Sequence, residues 1–172
     1  TGEVTANDYC STFSHNNESA RPGYYQVFLD RYNVNAELTS TLRCAYHKYT
    51  FPNEADKAVL VNVKRSNNHV REWDIQKVDD NTFTGSQSGE GKIYYYAVSN
   101  YKISDIKQLK EREKDEVAVV HFVDSKGGKP LELKIGFSFV SIENAKINLE
   151  TEMLDKSFAQ VQNEADDTWK NY

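Results

Sequence analysis

A chain of 172 residues with 38% hydrophobic and 27% charged residues has the length and composition of one folded domain with a sizeable core. Its net charge of −5 is spread among interspersed acids and bases, which argues against a nucleic-acid surface built from clustered Lys and Arg. No apolar run approaches the roughly 20 residues of a membrane helix, so no membrane span is read in this segment.

The opening stretch from Thr1 to Thr5 carries no basic-then-apolar leader and reads as an arbitrary start, compatible with a leader or domain upstream. Eleven tyrosines against a single methionine suit twisted sheets better than helical bundles. The first strand is expected over Tyr24 to Leu29. Val34, Ala36, Leu38 and Leu42 then fall on even positions, the period of a strand with one buried face. Tyr46 to Phe51 continues the sheet until Pro52-Asn53 ends it. Ala58 to Val63 is nearly continuous in apolar residues and predicts a central strand. Further strands are predicted over Val70 to Lys77, Thr82 to Gln87, Ile93 to Val98, Val117 to Val123 and Leu131 to Val140. Asp79-Asp80-Asn81, Ser88 to Gly91 and Ser125 to Gly128 supply tight turns between them. About ten short strands at this spacing imply an antiparallel β-sandwich.

The last thirty residues change character. Ser141 can cap a helix whose stripe is Ile142, Ala145 and Leu149. Ser157 with Gln160 forms a capping-box pattern ahead of Phe158, Val161, Ala165 and Trp169. The predicted organisation is one domain over 1–172, strands over 1–140 and a helical tail over 141–172.

Few motifs carry chemistry. The glycine-rich stretch Gly85 to Gly91 lacks the Lys-Ser or Lys-Thr of a phosphate loop and reads as a hairpin turn. His15, His47, His69 and His121 lack helical zinc spacing; His121 reads as a packed strand residue and His69 as a loop residue. Cys10 and Cys44 are too few for a zinc site and read as buried free thiols, with a single bridge as the alternative in an oxidising compartment. Glu111, Glu113, Asp115 and Glu116 alternate with Arg112 and Lys114, a solvated surface run rather than a catalytic pair. Trp73, near Arg71 and Asp74, could stack on a sugar, but a partly buried sandwich aromatic is the favoured reading. Asn17-Glu18-Ser19 matches the glycosylation sequon, a weak three-residue signal.

Two clusters stand apart. Phe13-Ser14-His15-Asn16-Asn17-Glu18 runs into Pro22-Gly23-Tyr24-Tyr25, and Glu37-Leu38-Thr39 is followed by Arg43 to Pro52 with His47 among aromatic rings. His15, Glu18 and His47 are the candidate substrate or interface residues. Such groups serve equally to line a sugar-recognising cleft or to lock a turn and a domain interface.

At these residues the chain resembles the N-terminal domain of glycoside hydrolase family 92, the calcium-dependent exo-acting α-mannosidases. Phe13 to Tyr25 matches its Phe-Ser-His, Glu and Pro-Gly-Tyr-Tyr pattern, and Glu37 to Pro52 matches its Glu-Leu-Thr strand and the Thr-Phe-Pro that follows. Lys134 to Ala145, continuing to Asn148-Leu149-Glu150, is a third match in the family's order. The resemblance implies a supersandwich of galactose-mutarotase-like type with two C-terminal helices, leading into a helical catalytic domain of (α/α)-barrel type that this segment lacks. It further implies that the catalytic acid and base, and the calcium, belong to that later domain, so no catalytic residue, metal or cofactor is assigned to this chain. The parent would be an inverting glycosidase removing terminal α-mannose, while this chain alone would be inactive. Its implied partners are its own catalytic domain and α-mannosides, and its implied location is secreted, periplasmic or at the cell surface. A stand-alone carbohydrate-binding or interaction module is the alternative. The family's Gly-Tyr-Arg and Gly-Trp are replaced by Gly85 to Gly91, and its Gly-His by Lys64-Arg65; these departures bear on linkage specificity.

Overall fold

Alternation along the strands sorts side chains to two faces of one large sheet, and each face is covered by a different layer. The computed structural model describes residues 9–62, 64, 69–110, 116–123 and 126–171. In chain order the strands are β1 (Glu18–Arg21), β2 (Tyr24–Leu29), β3 (Val34–Ser40), β4 (Cys44–Thr50), β5 (Ala58–Val61) and β6 (Glu72–Lys77). They continue as β7 (Thr82–Ser88), β8 (Lys92–Ser99), β9 (Ile103–Lys110), β10 (Glu116–Phe122) and β11 (Leu131–Ser138). Helices α1 (Ile142–Glu152) and α2 (Phe158–Lys170) follow. Eight strands form a sheet in the order β1-β2-β3-β4-β11-β8-β7-β6, and three form a second sheet in the order β5-β10-β9. Every pairing is antiparallel. The expected antiparallel sandwich with two C-terminal helices is the observed fold.

Between the two sheets lie Ile75, Phe83, Tyr95, Ala97, Val120, Leu131 and Leu133, with Tyr49 and Trp73 packed against them. On the opposite face of the large sheet the helices cover Cys44 and Tyr46 with Leu149, Met153, Phe158 and Val161. Period-2 alternation therefore splits β4 and β11 between two cores. Tyr46 takes the helix side, where its ring meets Phe158 edge-on at 5.2 Å and its hydroxyl donates to Glu132 at 2.7 Å. Lys134 sits 4.9 Å from the Tyr46 ring centre and donates to the carbonyls of Leu154 and Lys156, pinning the link between the helices. At Gly136 the sheet and α1 approach so closely that a Cβ would run into the Ala145 carbonyl, so only glycine fits.

Both helices begin where their caps predict. Ser141 accepts from the Asn144 N–H at 3.1 Å, and Ser157 and Gln160 complete a capping box.

Several sequence expectations are corrected. The Ala58 to Val63 run is not central: among the described residues β5 pairs with β10 alone, at the edge of the small sheet, and its side chains are all half-buried. An apolar run reports burial on both faces, and an edge strand achieves that when its two faces are partly covered by neighbouring layers. Leu42 is not a strand residue; it projects from the β3–β4 turn. Phe139 and Val140 lie beyond the end of β11. Strands β1 and β9 escaped notice because Glu18–Arg21 and Ile103–Lys110 are mostly polar and lack a clean alternation. Val63 and the acidic positions Glu111, Glu113 and Asp115 lie outside the described residues.

Leu149 is fully buried beneath the helix layer, whereas Ile147 on the same helix is exposed. Leu149→Ala should lower unfolding free energy by about 2–5 kcal/mol in urea titrations, while Ile147→Ala should stay within about 0.5 kcal/mol.

Candidate functional site

Ser14 opens a single 3-10 turn over His15–Asn17, its hydroxyl accepting the Asn16 N–H at 3.2 Å. The turn delivers the chain into β1 with His15 and Glu18 three residues apart and side by side. His15 Nδ1 lies 2.6 Å from Glu18 Oε2, and the Tyr25 hydroxyl donates to Glu18 Oε1 at 2.6 Å. The Tyr25 hydroxyl first, and His15 second, hold the Glu18 carboxyl below its ordinary range; the same bond raises the Tyr25 hydroxyl. With both oxygens engaged, Glu18 stays an ionised acceptor near neutral pH. The His15 side chain is 88% exposed and Glu18 is 22% exposed, so the pair presents one open and one anchored group. Phe13 meets the His15 ring edge-on at 5.5 Å. Pro22-Gly23 then closes the β1–β2 hairpin, with Gly23 at φ +74° as a type II turn requires. A Cβ at Gly23 would lie 2.6 Å from that of Ala165, so this turn is seated directly on α2.

Beside this pair, Asn16, Asn17, Glu18, Ser19, Gln26, Phe28 and Asn35 surround an open cleft of about 470 Å³. Gln26 donates to Asn35 Oδ1 at 2.8 Å across β2 and β3. Amides and a carboxylate over an aromatic floor offer the hydrogen bonds and the apolar face that a hydroxyl-rich ring requires. Of these residues, Gln26, Phe28 and Asn35 were not singled out from the sequence. The signal available was the alternation of Gln26 and Phe28 onto one side of β2, which becomes meaningful only once β3 is paired beside it.

His47 belongs to a different place. The pairings Tyr25 with Leu38 and Leu38 with His47 set these three in one row across β2, β3 and β4. Strands β1, β2 and β3 all precede β4 in the sheet, so His47 stands about 10 Å from Tyr25, two strands away. Its Nδ1 lies 2.8 Å from the Tyr49 hydroxyl, and the two rings meet edge-on at 5.8 Å. Burial pushes the His47 imidazole down to about 4 and the Tyr49 hydroxyl up to about 12. The three candidates thus divide into a surface pair, His15 and Glu18, and a separate packed histidine.

Other sequence readings resolve locally. The Trp73 indole N–H donates to Glu116 at 2.7 Å and its half-buried ring packs on the intersheet core, the sandwich-aromatic role. Cys44 is buried as expected, but Cys10 is exposed, and neither is bridged. Asn17 of the sequon is exposed. Among the described residues no group of three His, Cys, Asp or Glu side chains is placed to hold a metal ion. No described helix is long and apolar enough to cross a membrane.

Two antiparallel sheets backed by a C-terminal helix pair are the architecture of a domain found in solved α-mannosidases. A family GH92 α-mannosidase from Bacteroides thetaiotaomicron, solved in complex with mannoimidazole, superposes with a TM-score of 0.86 at 24% identity, covering 99% of this chain and 26% of that one. A family GH92 inverting mannosidase from Bacteroides thetaiotaomicron VPI-5482 gives 0.79 at 22% identity, covering 94% and 24%. The chain spans about a quarter of the length of these enzymes. The family described as Glycosyl hydrolase family 92 N-terminal domain matches residues 1–138, and the chain belongs to it. Comparison with curated proteins gives no match.

The buried imidazole makes a prediction about acid stability. Its folded value of about 4 lies below its ordinary 6.5, so between those values the unfolded chain binds more protons than the folded one. The His47 contribution to stability should therefore be complete above pH 6.5, decline as pH falls and level off below about 4. His47→Gln should flatten urea midpoints across that window, and ring resonances should report a His47 titration near pH 4.

Proposed function

We propose that this chain is the amino-terminal domain of a larger α-mannosidase-type glycoside hydrolase. In this reading it packs on the catalytic portion and lends its His15–Glu18 edge to the wall of a mannoside-binding site. The observation that carries it is the family match over residues 1–138, in a chain spanning about a quarter of the length of its solved relatives. The mannoimidazole complex of one relative supports mannose-type sugars as the ligand class.

Within that role Glu18 acts as a fixed hydrogen-bond acceptor for a sugar hydroxyl. Tyr25 and His15 orient it and keep it charged. With its Nδ1–H on Glu18, His15 keeps Nε2 to accept from a neighbouring hydroxyl, and the amides of Asn16, Asn17, Gln26 and Asn35 border the approach to it. Bond cleavage, and the calcium that the family uses, fall to the catalytic portion. Residues of this domain bind and orient; they transfer no proton to the glycosidic oxygen. Export to the periplasm, the cell surface or the medium accompanies this role.

The test compares the native protein with the 172-residue chain. The native protein should release mannose from α-mannobiose, and the purified 172-residue chain should release none. In the native protein, Glu18→Gln should lower kcat/KM several-fold, chiefly by raising KM, because the lost contact is one of binding. Mannose release by the isolated chain, or a native protein inert towards every α-mannoside, would sink the proposal.

A further inference from the structure

Large apolar side chains left in water gather at one end of the large sheet. Leu42 at the tip of the β3–β4 turn is 91% exposed, and Phe139 and Val140, just past β11, are 79% and 70% exposed. Phe137, the next-to-last residue of the same strand, is also exposed. Strand pairing places them together. The β4–β11 ladder runs to Cys44 and Gly136, and the Phe137 N–H continues it by donating to the Arg43 carbonyl at 3.0 Å. Leu42 and residues 137–140 are therefore neighbours at adjoining strand ends.

This rim is held rigidly. The Thr41 hydroxyl donates to Glu152 Oε2 at 2.5 Å and Arg43 Nε donates to Oε1 at 2.6 Å, clamping the turn to the end of α1. The Asn148 side chain donates to the Phe137 carbonyl at 2.7 Å, and the Ser138 hydroxyl accepts the Val140 N–H at 3.0 Å. Single exposed apolar side chains are ordinary on a soluble protein, but several adjacent ones on a fixed backbone mark an interaction surface. These four contribute little to the domain's own two cores, which are made of other residues.

We propose that the Leu42–Phe137–Phe139–Val140 rim is the surface on which the remaining polypeptide of the family 92 enzyme docks, through an apolar face of the catalytic portion. The inference rests on the functional reading above and names the contact it requires. In the solved relatives the same fold occupies only about a quarter of one chain, so roughly three times its length must be accommodated around it. A preorganised apolar rim loses little conformational freedom when such a body covers it, which is what a permanent contact within one chain favours. The amide-lined cleft lies at the opposite end of β3, roughly 20 Å away, a span that a body of that size can bridge.

Hydroxyl-radical footprinting of the native protein and of the 172-residue chain tests it. Phe137, Phe139 and Leu42 should react freely in the isolated chain and be protected several-fold in the native protein. Leu42→Ser with Phe139→Ser should leave the urea midpoint of the isolated chain unchanged. In the native protein the same pair should let this domain unfold separately from the rest. If the rim reacts equally in both forms while another face is protected, domain packing stands and the rim assignment falls. If no face is protected, both fall. Protection of Phe139 that grows with concentration in the isolated chain would assign the rim to self-association and overturn the proposal.

Discussion

Strands β4 and β11 must be buried on both faces at once, and the rest of the domain is arranged to satisfy that demand. They lie adjacent in the middle of the eight-stranded sheet. Leu131 and Leu133 point to the intersheet core while Cys44 and Tyr46 point to the helices. One layer could not shield both, so the three-stranded sheet and the helix pair are each obligatory. Tyr46 concentrates the constraint. Its ring stacks edge-on with Phe158, its hydroxyl reaches Glu132, and its face is capped by Lys134, which in turn holds two carbonyls of the interhelix link. Burial raises the Tyr46 hydroxyl well above its ordinary range, with the Glu132 contact adding to it, so the phenol stays a donor at all physiological pH.

The same arrangement explains where the polar groups end up. At the β1 end the large sheet runs beyond the strands that line the two main cores, and there His15, Glu18 and the amides of β2 and β3 stay accessible. His47, on the fourth strand of the same sheet, sits nearer the covered centre and loses its water. Two histidines from similar-looking sequence clusters thereby acquire opposite properties. One faces solvent beside a carboxylate; the other is a neutral ring held by a tyrosine. A binding role suits the first and a packing role the second.

Much of the fold was legible because its signals are local. Ser141 and Ser157 announced both helices through their caps, and Asp79-Asp80-Asn81 announced the turn between β6 and β7. Strands with aromatic or β-branched alternation were found within a residue or two of their ends. Where the pattern was polar, as in β1 and β9, local reading failed, since those strands are defined by the partners they pair with. The apolar run at β5 misled for a related reason: hydrophobicity reports how much a strand is buried, not its place in the order of a sheet. At the candidate site, the His15–Glu18 contact follows from three-residue spacing in a tight turn. The cleft needed residues 16–19, 26, 28 and 35 to be brought side by side by pairing.

By itself the sequence determined the class of fold, the two capped helices and the kinship carried by the segments 13–25, 37–52 and 134–150. Each of these is written in residue type and spacing along the chain. Only the tertiary structure decided that His47 stands apart from His15 and Glu18, that Trp73 serves the core, and that Leu42 and Phe139 meet at one exposed rim. Those outcomes depend on strand order and register, which join residues as far apart as Arg43 and Phe137. No periodicity can encode that choice, because it is made by which faces find cover when the layers close.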